Sequence, residues 1–390
     1  MTTALPQAAR SLFDSEHKQF RDTVRTFIAR EIISNLERWE EQHLVDRSAW
    51  VAAGKQGLIG IAVPEEYGGG GLADYRFRTV VAEEFARVSA ASVSSGLSVQ
   101  DDVFIPYLIN LATPEQQRRW LPPCCSGEAI GAIAMTEPGT GSDLRAIATT
   151  AVRDGETWVL NGAKTFITNG IHADYVIAVA YTDPEAGAKG MSLLMVERGM
   201  EGFSRGRKLK KVGLQAQDTA ELFFDDVRVP AANLIGDVGG GFVHMMERLP
   251  LERLSIAVSA SAAAQAALEW TVDYVTTRQV FGKPIAAQQN TQFTLAEIAT
   301  EVEVTRTYID EMILDYNRGT LSAVAAAKAK LWATEAQKRI VDRCVQLFGG
   351  YGYMLEYPIA RSFVDTRVQT IYGGTSEIMK LIIGRDLLGR

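Results

Sequence analysis

Cysteine is scarce in this chain. Of 390 residues 3 are cysteines, Cys124, Cys125 and Cys344. Two are adjacent and one is remote, which excludes a disulfide framework and a C-x-x-C metal pair. That usage fits a reducing compartment, and a cytoplasmic protein is expected. Histidine is equally thin: His17, His43, His172 and His244 are scattered. Positive charge is short as well. The 40 Lys+Arg against 47 Asp+Glu leave a net charge of −7. A protein built to grip a nucleic-acid backbone needs concentrated positive charge. No apolar run approaches the roughly 20 residues of a membrane span. The longest, Leu254 to Leu268, is mostly Ala and Ser and contains Gln265, so a tightly packed helix is expected there. The first 13 residues hold one Arg and no long apolar stretch, so neither a secretory signal nor an Arg-rich transit peptide is expected. What remains is 47% hydrophobic and 22% charged, an ordinary globular balance with length for two or three domains.

The chain changes texture twice. Residues 1–130 read as helical. Phe13, Phe20, Val24, Phe27 and Ile28 recur near a 3.6-residue period, with Asp14 as a candidate N-cap. Thr113-Pro114-Glu115-Gln116 is a sharper start signal, a capping box with Pro at the first helical position. Gly68 to Gly71 reads as a flexible connection. From residue 131 to 238 Gly, Thr, Asn and Asp mix with runs of Val, Ile and Phe. Residues 151–160 form a hairpin pattern turning at Asp154-Gly155, and strands are expected over 175–181, 191–196 and 222–229. Residues 239–390 are Ala-rich and helical again, over about 243–277, 288–318 and 321–348 and from Ser376. Long helices with short connections indicate an antiparallel bundle. The expected class is α+β in the order helical domain, β domain, helical bundle.

Five glycine-punctuated segments are candidates for ligand binding. Ala134 to Asp143 (A-M-T-E-P-G-T-G-S-D) combines backbone that can approach a ligand closely with the hydroxyls of Thr136 and Ser142; taken alone it is equally a rigid β-loop. Phe166 and Thr168 are two residues apart and share a strand face, which suits a planar, partly polar ring, although a half-buried strand ending at Asn169-Gly170 explains the fragment too. Arg278 closes a helix in Arg278-Gln279-Val280-Phe281-Gly282, where it complements the helix C-terminus or meets a pyrophosphate. Gly349 and Gly350 follow Gln346-Leu347-Phe348 as ordinary C-capping or as free N–H groups for phosphate. Tyr372-Gly373-Gly374-Thr375-Ser376-Glu377 is a glycine turn feeding a helix N-terminus, a natural oxygen site.

Together these pieces resemble the acyl-CoA dehydrogenase family from end to end. The resemblance rests on A-M-T-E-P-G-T-G-S-D and Q-L-F-G-G-Y-G-Y, with F-I-T-N-G, R-Q-V-F-G-K-P and Y-G-G-T-S-E at family spacing. It implies an N-terminal helical domain, a middle β-barrel or sandwich domain and a C-terminal four-helix bundle, usually in a homotetramer. It implies FAD between the β domain and the bundle. Flavin contacts fall on Met135, Thr136, Ser142, Phe166 and Thr168. Phe166 stands where many members have Trp. Arg278, Phe281 and Gln289 match pyrophosphate and adenosine contacts, often from a neighbouring subunit. Gln346, Gly349 and Gly350 match the second phosphate loop, and Thr375 and Glu377 the last FAD contacts. Ser142, Arg253 and Lys189 match acyl-CoA contacts, and Gly373 and Gly374 the turn beside the thioester.

The implied reaction is α,β-desaturation of an acyl-CoA thioester, part of fatty-acid β-oxidation. It needs a carboxylate whose pKa is raised by apolar burial, and donors on the carbonyl oxygen as enolate charge develops. Many members carry the base directly after the Tyr. Here that position is Gly373. Leu249-Pro250-Leu251-Glu252-Arg253 offers a replacement, with Glu252 expected at the opening of the long bundle helix. The bland alternative is an exposed first-turn acid favoured by the helix dipole. Long-chain and isovaleryl-type members resemble this chain in placing the base there. Gly206 to Phe224, Glu356 to Ala360 and Val368 to Thr375 look most like the long-chain branch. The expected acceptor is electron-transfer flavoprotein, since family oxidases are usually longer and carry an extra C-terminal domain. A non-catalytic acyl-CoA or flavin scaffold is the alternative from another class, motivated by the glycine at 373. A di-iron bundle is rejected: only Glu40-Glu41-Gln42-His43 has the Glu-x-x-His spacing, and it lies outside the expected bundle.

Overall fold

The computed structural model describes residues 10–389. Seven helices come first: α1 (Ser15–Phe27), α2 (Leu36–Gln42), α3 (Arg47–Lys55), α4 (Arg76–Arg87), α5 (Ala91–Ser98), α6 (Ile105–Leu111) and α7 (Pro114–Cys125). Eight strands follow: β1 (Gly131–Ala134), β2 (Thr150–Asp154), β3 (Thr157–Thr168), β4 (Tyr175–Tyr181), β5 (Met191–Glu197), β6 (Phe203–Lys208), β7 (Thr219–Pro230) and β8 (Leu234–Ile235). The chain then returns to helix. α8 (Gly241–Thr277) leads through the small ribbon β9 (Gln279–Val280) and β10 (Lys283–Pro284) to α9 (Gln289–Asn317), α10 (Ala323–Phe348), α11 (Pro358–Thr366) and α12 (Ser376–Leu387).

Local chemistry explains most of these boundaries. Asp14 and His17 close a capping box at α1. At α7 the Thr113 hydroxyl accepts from the Gln116 N–H while the Gln116 side chain accepts from the Thr113 N–H. The β2–β3 hairpin turns on Gly155-Glu156, one residue later than the Asp-Gly pair suggested, because Gly155 takes the left-handed conformation at φ +57°. The glycine run at 68–71 is anchored rather than loose. Gly70 and Gly71 donate to the carbonyls of Gly60 and Val63, and a Cβ on Gly69 would lie 2.2 Å from the Val63 oxygen.

The strands form one sheet in the order β6-β7-β3-β2-β4-β5-β8, with β1 parallel to β4. Alternation along β4 sorts its side chains between two cores. Val176, Ala178 and Ala180 join Trp158, Leu160, Leu222 and Val227, so the sheet curls around a core of its own. Ile177, Val179 and Tyr181 face the N-terminal helices with Trp50, Phe104 and Leu121. In the C-terminal bundle α8 and α10 run side by side. Thr271 lies against Cys344, and Tyr274 stacks on Phe348 at 4.1 Å. Small residues such as Ala260, Ala264, Ala329 and Ala336 are fully buried where the helices meet. Among the described residues, no helix is long and apolar enough to cross a membrane.

Candidate active site

A cavity of about 790 Å³ opens where the N-terminal helices, the sheet and the bundle meet. One wall is the loop after β1 and the end of β3; the opposite wall is α8 and the turn before α12. Met135, Thr136, Ser142, Phe166, Thr168, Glu252, Arg253, Gly373 and Gly374 all line it. Residues 100 or more apart in sequence therefore share one space.

On the sheet side, regular alternation does not produce this arrangement. The β3–β7 register shifts between Lys164 and Ile167, and Phe166 sits at φ +59°. The bulge turns a large aromatic ring into the cavity, where Phe166 stays 68% exposed. Beneath it lies a buried ion pair. Lys164 Nζ is 2.8 Å from Glu137 Oε1 and also donates to the Met135 carbonyl at 3.2 Å. Glu137 further accepts from the N–H groups of Ala148 and Thr149 and the Thr149 hydroxyl. Burial lowers the Lys164 pKa to about 8, opposed by its partner carboxylate. This pair ties the 135–142 loop to β3. The Gln217 amide donates to Ser95 Oγ at 2.6 Å and to Thr168 Oγ1 at 3.5 Å, fixing the second polar group of that wall.

On the helix side, α8 begins at Gly241, so Glu252 lies about three turns inside it rather than at its opening. It is half-buried, and its Oε1 accepts from the Tyr107 hydroxyl at 3.4 Å. Burial pushes its pKa up to about 7, against the lowering effects of Arg253 and Tyr107. The helix dipole at a first turn has no part in this. Pro250 has no N–H to give, so the Met246 carbonyl one turn earlier loses its helical partner beside the cavity. Ser255 Oγ donates to Asp102 at 2.7 Å, and Asp102 pairs with buried Arg78 at 3.0 Å. That network pins α8 to the N-terminal helices three residues after Glu252.

The glycine turn is held from two sides. Arg253 Nε donates to the Gly373 carbonyl at 3.4 Å and Lys330 Nζ to the Gly374 carbonyl at 2.7 Å. Gly373 and Gly374 have φ of +63° and +96°. A Cβ on Gly373 would lie 2.3 Å from Ile256 Cδ1. Ile256 is one turn beyond Glu252, so the helix that brings the carboxylate also sets the end of an aliphatic side chain against the glycine at 373.

The remaining candidates lie outside this cavity. Thr375 caps α12, accepting from the Ile378 N–H, and Glu377 is exposed in its first turn. Lys189 is exposed on the 3-10 turn before β5, with its carbonyl against Gly239 at the start of α8. Arg278, Phe281, Gln289, Gln346, Gly349 and Gly350 gather at the far end of the bundle. All are exposed, Phe281 to 99%, and Arg278 lies over the Tyr351 ring at 5.3 Å. None of them lines the cavity around Glu252. Tyr107, Lys164, Gln217 and Lys330 were not singled out from the sequence. An apolar helix, a strand, a loop and an Ala-rich helix conceal them.

Comparison with known proteins bears on the family and the fold. The chain matches the N-terminal, middle and C-terminal domain models of acyl-CoA dehydrogenase over residues 14–128, 132–227 and 239–388. It is 48% identical over 381 residues to the mitochondrial long-chain specific acyl-CoA dehydrogenase of Sus scrofa, covering 97% of this chain and 88% of that one. It is 37% identical to the mitochondrial isovaleryl-CoA dehydrogenase of Solanum tuberosum, over 96% of this chain and 91% of that one. The crystal structure of an acyl-CoA dehydrogenase from Geobacillus kaustophilus superposes with a TM-score of 0.94 at 46% identity, covering 97% of this chain and 100% of that one.

Proposed function

We propose, from the premise that this chain belongs to the acyl-CoA dehydrogenase family, that it desaturates long-chain acyl-CoA thioesters to trans-2-enoyl-CoA with Glu252 as the base. Members of the family are FAD-dependent oxidoreductases. The residues here fit that cofactor. Phe166, bare inside a cavity beside the Thr168 hydroxyl, is a surface for a planar ring. Met135, Thr136 and Ser142 complete that wall, and bound FAD supplies the hydride acceptor.

The observation that carries the reading is the cavity itself, with Glu252 on one wall and Phe166 and Thr168 on another. A carboxyl poised at about 7 changes charge near neutrality, the range in which a general base works best. In this reading Glu252 takes the α-proton while the β-hydrogen leaves as hydride. The Gly373 N–H polarises the thioester oxygen, the turn being held still by Arg253 and Lys330. Ser142, Gly374 and, nearer the surface, Lys189 receive the CoA thioester arm. Thr375 and Glu377 contact the cofactor at the head of α12. Arg278, Phe281, Gln289, Gln346, Gly349 and Gly350 serve the cofactor of a neighbouring copy in a homotetramer. Their exposure in one chain supports that division.

Chain length is read from depth. The cavity wall follows α8 through Ile256, Ser259, Ala263 and Trp270. From Glu252 to Trp270 the helix rises about 27 Å, against the roughly 15 Å that one membrane acyl chain occupies as half of a bilayer core. We divide the chain into units 1–130, 131–238 and 239–390, with electron-transfer flavoprotein as the acceptor. The buried thiols of Cys124, Cys125 and Cys344 suit a reducing compartment such as the cytoplasm.

Turnover of the FAD-loaded protein against a ladder of acyl-CoA lengths plus isovaleryl-CoA, with and without electron-transfer flavoprotein under air, tests the reading. A maximum at long chains that depends on the flavoprotein supports it. A maximum on isovaleryl-CoA replaces the substrate. Turnover with oxygen alone replaces the acceptor. A Glu252→Gln protein with unchanged turnover removes the base.

A further inference from the structure

The deep part of the cavity is not lined as a hydrocarbon slot needs to be. Gln337, on α10, is 0% exposed and lines the cavity, and neither its amide nitrogen nor its amide oxygen has a hydrogen-bond partner among the described residues. Gln369, in the turn after α11, is 8% exposed, lines the same cavity, and its Oε1 has no partner among the described residues. A buried polar group left unpaired is costly, and native interiors leave few of them. Two carboxamides facing one void therefore point to a ligand group that meets them.

Their depth can be placed. Lys330 on α10 holds the Gly374 carbonyl of the turn at the thioester end. Gln337 is seven residues further along the same helix, about 10 Å deeper. One membrane-length acyl chain occupies roughly 15 Å, so Gln337 stands beside a point about two thirds of the way down such a chain. Ser259 and Ser362 also line the cavity. The required partner both donates and accepts, because Gln337 has a free NH₂ and a free oxygen. A neutral hydroxyl does both. A carboxylate only accepts, and its burial without a paired cation is far more costly.

We propose that this chain accepts, and discriminates in favour of, acyl-CoA substrates bearing a hydroxyl in the distal part of the chain, held by the Gln337 and Gln369 carboxamides. The inference rests on the dehydrogenase reading above and narrows its substrate class. A site built to hydrogen-bond a substrate hydroxyl penalises the analogue that lacks it, because its own polar groups are then left unpaired.

The test uses the FAD-loaded protein with stearoyl-CoA and a series of hydroxystearoyl-CoAs carrying the hydroxyl at successive mid-chain to distal carbons. Both kcat/KM and calorimetric Kd are read. In the wild-type protein one hydroxyl position is expected to exceed its neighbours and stearoyl-CoA by about tenfold in both readouts. In Gln337→Leu that peak disappears while stearoyl-CoA turnover is kept or rises. A flat wild-type series overturns the inference even if the variant does not fold. So does a Gln337→Leu protein that changes hydroxylated and plain substrates by the same factor, the result if the amide merely holds a water. Turnover of plain acyl-CoA without a hydroxyl preference removes only this inference. Failure to turn over any acyl-CoA removes the parent reading with it.

Discussion

The cavity around Glu252 and the exposed cluster at the far end of the bundle are built on opposite principles. In the cavity, the groups that the proposed proton chemistry uses are braced by other residues of the same chain. Tyr107 holds Glu252, Lys164 holds the Met135 loop, and Lys330 and Arg253 hold the glycine turn. At the bundle end, Arg278, Phe281, Gln289 and Gln346 are exposed. On the proposed reading, one chain carries the proton chemistry whole but only part of the cofactor grip. Motif residues at equal sequence specificity can therefore belong to two different sites.

The largest effect expected is at the base. Glu252→Gln should retain fold and yellow colour while kcat falls by about 100-fold to 10,000-fold, the usual worth of a positioned general base. Single-turnover flavin bleaching measures it. Moving the carboxylate back sharpens the point. Glu252→Gln with Gly373→Glu should recover only part of the wild-type rate, because φ +63° at 373 strains any L side chain and the end of the Ile256 side chain must move aside. Adding Ile256→Ala should recover more of it.

Next comes Lys164→Met. It leaves Glu137 buried without its cation and should destabilise the protein by about 3–5 kcal/mol, read from chemical denaturation. Arg278→Ala should lower flavin retention on dilution by about tenfold, the worth of one hydrogen bond to a charged group, without moving the pH profile of turnover. A shifted pH profile would merge the two regions.

The smallest effect is on stability against pH. The folded-state pKa of Glu252, about 7, lies above its ordinary 4.5. The folded protein therefore holds the proton more tightly, and stability is lost as pH rises from 4.5 through 7. Glu252→Gln escapes that loss. Its melting temperature should approach wild type at pH 4 and exceed it by a few degrees at pH 8. The acid limb of kcat/KM in the wild-type protein should fall near pH 7.

Legibility differed from element to element. The capping box at Thr113, the hairpin at Gly155 and the long bundle helices were readable because their causes lie within four residues of one another. The three-part order was readable for the same reason, since composition and periodicity change together. Glu252 was found by an absence, the missing acid at 373, rather than by any feature of its own surroundings. Its expected place at the helix opening was wrong by three turns, since Pro250 resembles a helix start but lies inside α8. The bulge that turns Phe166 inward is invisible in sequence, because alternation alone also puts 166 and 168 on one face. Tyr107, Lys330 and Gln337 carry no local signal at all.

The order of the residues alone carried the family resemblance, through its motifs and their spacing, and the helix–sheet–helix plan, because caps, turns and periodicities act over short stretches of chain. Folding alone decided which of the motif residues share a space. Whether Glu252 meets water or a cavity, whether Gly373 has room for a side chain, and whether an amide at 337 finds a partner all depend on helices and strands brought together from 100 or more residues away, and desolvation acts through that packing rather than along the backbone.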